Sequence, residues 1–131
     1  MILIDTQAVL WIVRRPARLS AVAREAIERE RRSGGLAIAS VTLMELALMA
    51  SRGDFQIVRT PEGWLRHLVA QSQLVVREIT EEIATVAAYL PPGFPGDPFD
   101  RLITATAIVE RMPLLTSDAR IQKSGVVRTI W

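Results

Sequence analysis

Gly96-Asp97-Pro98-Phe99-Asp100-Arg101-Leu102-Ile103-Thr104-Ala105-Thr106-Ala107 reads as a complete helix start. Pro95 and Gly96 stop the preceding chain, Asp97 is a capping residue, and Pro98 suits the first helical position. Asp100 then falls in the first turn, where the helix dipole favours a negative charge. Helical spacing places Asp100, Thr104 and Ala107 on roughly one face, with small side chains beneath the carboxylate. Two acids at a helix start have a plain use as caps. They also have a use in chemistry, if other acids fold to meet them.

Outward from this stretch, short apolar runs alternate with helical patterns. Ile2–Ile4 and Leu36–Ala39 are continuous apolar runs, as expected of strands covered on both faces; residues 74–79, 113–116 and 126–130 are further strand candidates. Between them the spacing predicts helices over 7–13, from Ser20 to about 32, from a cap at Ser40 or Thr42 to about 50, from Thr60-Pro61 to about 69, and from Thr80 through 83–87. The inner face of the second helix is expected at Val22, Ala26 and Ile27, and Thr42 with Glu45 fits a capping box. Residues 117–118 read as a turn. Such alternation implies one α/β domain over residues 1–131, with a mostly parallel central sheet flanked by helices on both faces.

In a parallel sheet the ligand site lies beyond the carboxyl ends of the strands. Asp5 follows the first strand, Glu45 lies in the first turns after the second, and Asp118 follows the fourth. Of the five Asp in the chain, only Asp54 lies away from such a position. Strand ends feed helix starts, and helix starts attract acids, so each acid alone is explained equally well as a cap. Together they pose an electrostatic problem. Two carboxylates at ~4 Å repel by about 4 kcal/mol at an effective dielectric near 20. Distance, protonation or a cation must relieve it. With no Cys in the chain and one His, His67, an all-oxygen set suits Mg²⁺ or Mn²⁺. A site of that kind suits phosphodiester hydrolysis by metal-activated water.

Composition narrows the alternatives. The absence of Cys excludes disulfides and thiolate sites. Half the residues are hydrophobic and mean hydropathy is +0.24, which points to a surface covered by a partner. Net charge is +2, with fifteen Arg and one Lys; Arg suits bidentate phosphate contacts. The N-terminus lacks a basic leader and meets an acid at Asp5, so neither a signal peptide nor a membrane span is expected and a cytoplasmic location is. Residues 7–13 are apolar almost all round, more than one sheet face can hide, which predicts a homodimer. Helices 43–50 and 63–69, with Met44, Met49 and Trp64, carry apolar residues beyond one face's need, which predicts a peptide-binding groove. A non-catalytic interaction module remains an alternative if the acids never converge. A receiver-like signalling domain needs an acidic pair at strand one and a Lys beside the site. Strand one here offers Asp5-Thr6, and the single Lys is Lys123.

The ordered set Ile4-Asp5-Thr6, Ser40-Val41-Thr42-Leu43-Met44-Glu45, Gly96 to Ala107 and Leu114-Leu115-Thr116-Ser117-Asp118 resembles the PIN-domain ribonucleases. More narrowly it is similar to the VapC toxins of bacterial type II toxin–antitoxin systems, essentially end to end. The resemblance implies a metal-dependent endoribonuclease with Mg²⁺ or Mn²⁺ as cofactor, RNA as substrate, a cognate antitoxin as partner, and no membrane. It implies catalytic, metal-ligating carboxylates at Asp5, Glu45, Asp100 and Asp118, with Asp97 as a further acid and Thr6 and Thr116 in support. One position departs from it: where many relatives carry His two residues before the first Asp of Asp-Pro-Phe-Asp, this chain has Pro95.

Overall fold

The computed structural model describes residues 1–131. Its centre is a five-stranded, wholly parallel sheet in the order β3-β2-β1-β4-β5. The strands are β1 (Ile2–Ile4), β2 (Leu36–Ala39), β3 (Leu74–Arg77), β4 (Leu114–Leu115) and β5 (Thr129–Ile130). They are linked by α1 (Thr6–Arg14), α2 (Ala21–Arg32), α3 (Ser40–Ser51), α4 (Pro61–Gln71), α5 (Glu81–Ala88), α6 (Pro98–Val109) and α7 (Ala119–Ser124). Register runs Leu3 to Ala37 on one side of β1 and Leu3 to Leu114 on the other.

Successive side chains of a strand point to opposite faces, and the core divides accordingly. Ile2, Ile4, Leu36, Ile38 and Leu115 pack on one face with α1, α2, Leu46 and Leu68. Leu3, Ala37, Ala39 and Leu114 pack on the other with Ile103, Ala107 and Ile121. This two-sided cover is why the central strands are unbroken apolar runs.

Several sequence expectations change. The apolar face of the helix after β1 is nearly consumed by the core: Ala8, Val9 and Leu10 are buried, Trp11 packs on Trp131 with ring centroids 5.4 Å apart, and of its apolar residues Val13 alone is exposed. Its apolar surplus is therefore no argument for a second chain. In α2 the inner face is Ala23, Ala26 and Ile27, and Val22 points to solvent. Of the surplus on α3 and α4, Leu46 and Leu68 close the core, and Leu43, Met49, Trp64 and Leu65 pack against it. Those four stay partly buried, and Met44 stays exposed.

Chain ends of elements also shift. Helix α3 starts at Ser40, directly on β2, with no side-chain cap. Thr42 is thus inside the helix and buried, and the capping box with Glu45 does not form. Residues 117–118 lead into α7, which the sequence reading missed. Asp118 caps it and Gly125 closes it at φ 67°, a left-handed conformation that glycine adopts without steric cost. The strand edges are shorter than expected at both β3 and β5.

Candidate active site

Five acids line one cavity of about 420 Å³: Asp5, Glu45, Asp97, Asp100 and Asp118. Thr6, Gln7, Arg52, Ser117 and Arg120 complete most of the rim. The cavity opens at the carboxyl ends of β1 and β4. The chain winds outward from β1 through β2 to β3, then returns to place β4 on the other side of β1. The strand order therefore reverses between β1 and β4, and there the helix starts that follow the two strands diverge and leave a crevice.

Capping and convergence are compatible here, because three of the acids do both. Asp5 accepts from the Ala8 amide at 2.7 Å at the start of α1. Asp97 accepts from Phe99 and Asp100 amides at 2.8 and 3.1 Å at the start of α6. Asp118 accepts from the Arg120 amide at 2.8 Å. The N-terminal ends of these helices meet at the cavity, so their dipoles offset part of the negative charge gathered there. Asp100 and Glu45 lie inside helices and cap nothing.

The start of α6 is held from behind. Arg101 donates to the carbonyls of Ala87 at 2.9 Å, Ala88 at 3.3 Å and Pro95 at 3.3 Å. These bonds tie the 91–97 segment to the end of α5 and fix where Asp97 and Asp100 stand. Pro95 contributes its carbonyl to that clamp and no side chain to the cavity lining.

Burial and mutual repulsion push the acids up. Burial foremost, opposed by the Thr116 hydroxyl and the Ala8 amide, raises Asp5 to about 6. Burial and then the neighbouring Asp97, Asp118 and Glu45 raise Asp100 to about 6. Glu45 is also raised by burial, with the Thr6 hydroxyl opposing. Asp118 goes the other way because the Arg120 guanidinium bonds it directly.

Threonines stitch the cavity floor. The Thr6 and Thr42 hydroxyls share a hydrogen bond of 3.2 Å, joining α1 to α3. The Thr116 hydroxyl accepts from the Asp118 amide at 3.1 Å. Thr104, one turn below Asp100 on α6, is fully buried and its hydroxyl has no partner. Sequence reading gave Thr42 only a capping role and did not single out Arg120. Arg120 was legible only as a base two residues past Asp118. Its guanidinium reaches Asp118 at 2.7 Å and Asp100 at 3.5 Å, bridging two elements.

The donor set suits a hard divalent cation: carboxylates and hydroxyls, with no thiolate or imidazole. As the side chains stand, no three acids are arranged to hold one ion together. Arg120 supplies the positive charge at Asp118 and Asp100 instead. The donor chemistry fits such an ion, and the Arg120 guanidinium is paired with two of the acids that would hold it.

Comparison with known proteins places these features in context. Residues 2–126 match the PIN domain family model. The chain is 37% identical over 132 aligned positions to Ribonuclease VapC22 of Mycobacterium tuberculosis, covering 99% of this chain and 98% of that protein. Its fold matches the structure of VapBC2 from Rickettsia felis bound to a promoter DNA fragment, with a TM-score of 0.72 at 17% identity over 98% of this chain and 97% of that one. A DNA-bound VapBC structure from Salmonella typhimurium matches with a TM-score of 0.66 at 19% identity, covering 98% and 97%.

Proposed function

The chain belongs to the PIN-domain family, among its VapC ribonucleases, and from that premise we propose that it is a metal-dependent endoribonuclease, the toxin of a type II toxin–antitoxin pair. The observation that carries this reading is the meeting of five acids from separate elements in one cavity at the β1–β4 crevice. Asp5, Asp100, Glu45 and Asp118 would hold Mg²⁺ or Mn²⁺, with Asp97 beside them. When bound, such an ion polarises water and offsets the charge that develops at phosphorus. Thr6 and Thr116 restrain the carboxylates of Glu45 and Asp5. The Arg101 clamp keeps Asp100 in place.

The test is cleavage of single-stranded RNA in Mn²⁺. Asp100→Asn removes one negative charge from the set and is expected to lower the rate by about 10²-fold or more, as loss of a transition-state charge partner does. Excess EDTA is expected to stop cleavage by the native chain. Undiminished cleavage in EDTA would sink the proposal.

Partners follow from the same reading. The solved relatives are toxin–antitoxin assemblies, which supports a protein inhibitor for this chain. A homodimer is supported by the apolar side chains the fold leaves outside, Met44 at 59% and Tyr89 at 84% exposure. Light scattering at micromolar concentration is expected to give twice the 14.6 kDa of one chain; a monomer mass there overturns the dimer. No helix is long and apolar enough to cross a membrane.

A further inference from the structure

A second cavity, about 700 Å³, adjoins the acidic one and has the opposite charge. Gln7 and Met49 line both, so the two form one continuous depression. It runs beside α1, which rises about 12 Å from Thr6 to Arg14. Arg14 ends that helix, Arg15 precedes the single 3₁₀ turn Pro16–Arg18, and Arg18 ends it. All three are exposed and none pairs with an acid. The one acid in the lining, Asp54, is already paired with Arg52 at 3.3 Å.

We propose that this arginine groove is the track that holds single-stranded RNA flanking the cut, a reading that rests on the nuclease assignment above. A cavity lined by five carboxylates repels a polyanion, so substrate affinity must come from elsewhere on the surface. Arg14, Arg15 and Arg18 are three unneutralised guanidinia, the group best suited to phosphate oxygens. Phosphate contacts of this kind dominate affinity for nucleic acids and carry no sequence preference. The Arg14 guanidinium, held on an aromatic pair, adds a planar stacking surface. The Arg14 guanidinium lies over the Phe55 ring at 5.0 Å from its centroid, and Phe55 rests on Trp64 at 5.0 Å. Planar groups beside a basic rim are how single strands are gripped, because unstacked bases need a face to lie on.

The experiment measures binding of a fluorescein-labelled single-stranded RNA dodecamer by anisotropy, in EDTA so that no cutting occurs, between about 50 and 200 mM salt. Relative to the native chain, the triple variant Arg14→Ala/Arg15→Ala/Arg18→Ala is expected to bind about tenfold more weakly or worse. Its log–log salt slope is expected to shrink by about 2, since each single-strand phosphate contact contributes about 0.7. The triple Arg→Lys variant keeps the charge and is expected to keep the slope. Equal melting temperatures show that the variants fold. An unchanged affinity and slope in the alanine variant overturn the track. So does loss of antitoxin affinity with RNA binding intact, which would make the groove a protein-docking surface. Cleavage by the native chain in Mn²⁺ is scored separately: its absence counts against the nuclease reading, whereas an unchanged salt slope counts against the groove alone.

Discussion

Asp5→Asn is expected to abolish RNA cleavage and, at neutral pH, to make the protein more stable. Asp5 stands at the end of β1, its carboxyl raised to about 6 chiefly by burial, with Glu45 and Asp118 adding to the strain. Removing its charge leaves three of the four proposed ion-holding carboxylates. A rate loss on the order of 10³-fold matches what removal of one preorganised electrostatic contact costs. Asn keeps the side-chain oxygen that caps α1 through the Ala8 amide, and Asn is as good a cap as Asp. What disappears is a buried charge whose ionisation is displaced by roughly two units, each worth about 1.4 kcal/mol. The metal-free variant should therefore gain on the order of 1–2 kcal/mol at pH 7. Chemical denaturation in EDTA measures the gain, and RNA cleavage in Mn²⁺ measures the loss. A variant that loses activity by unfolding would move both readings down, and that outcome refutes the assignment of Asp5 to the site.

The metal-free protein should become more stable as the solution is acidified from about pH 7 to about pH 5. Asp5 and Asp100 ionise near 6 in the fold and near 4 in an unfolded chain. Between those values the folded state holds protons that the unfolded state has released, so stability falls as pH rises. The contribution is complete below about pH 4 and is lost as pH climbs through about 6. Asp118 and Glu30 act in the opposite sense. Arg120 and the chain's amino terminus hold their carboxyls low, so their share is present above about pH 4 and is lost on further acidification. Stability in EDTA is expected to peak near about pH 5, on the order of 2 kcal/mol above its value at pH 7. Divalent ions should reverse the trend, since they bind the ionised acids. Titration with Mn²⁺ at pH 6 is expected to release about one proton per chain, and almost none at pH 8. Equal proton release at both values refutes the link between these two acids and the ion.

Much of the fold was legible because its signals are local. Ser20, Thr60, Thr80 and Asp97 each cap the helix expected of them, since a cap needs only its own next three residues. The runs at Ile2–Ile4 and Leu36–Ala39 became central strands because cover on two faces leaves no room for polar alternation. The failures came where neighbours decide. The apolar helix after β1 offered more apolar surface than a sheet face needs, yet most of it packs into the core of one chain, with Trp11 against Trp131. Thr42 carried a capping pattern, but β2 runs directly into α3 and leaves Thr42 to bond Thr6. The short helix α7 has one turn and a half, too little for periodicity to declare it.

For the acids themselves, sequence alone determined their position along the chain: each lies just after a strand or in the first turns of a helix, and a parallel sheet gathers such positions at one end. It left open whether each acid is a cap or a ligand. Only the tertiary structure shows Asp5, Asp97 and Asp118 capping helices whose N-termini meet at the acidic cavity. Only it places Arg120 across Asp100 and Asp118, and the three unpaired arginines along the adjoining groove. The reason is physical. A cap is a bond within one turn and is written in neighbouring residues, whereas a shared electrostatic field depends on distances across elements that no local pattern encodes.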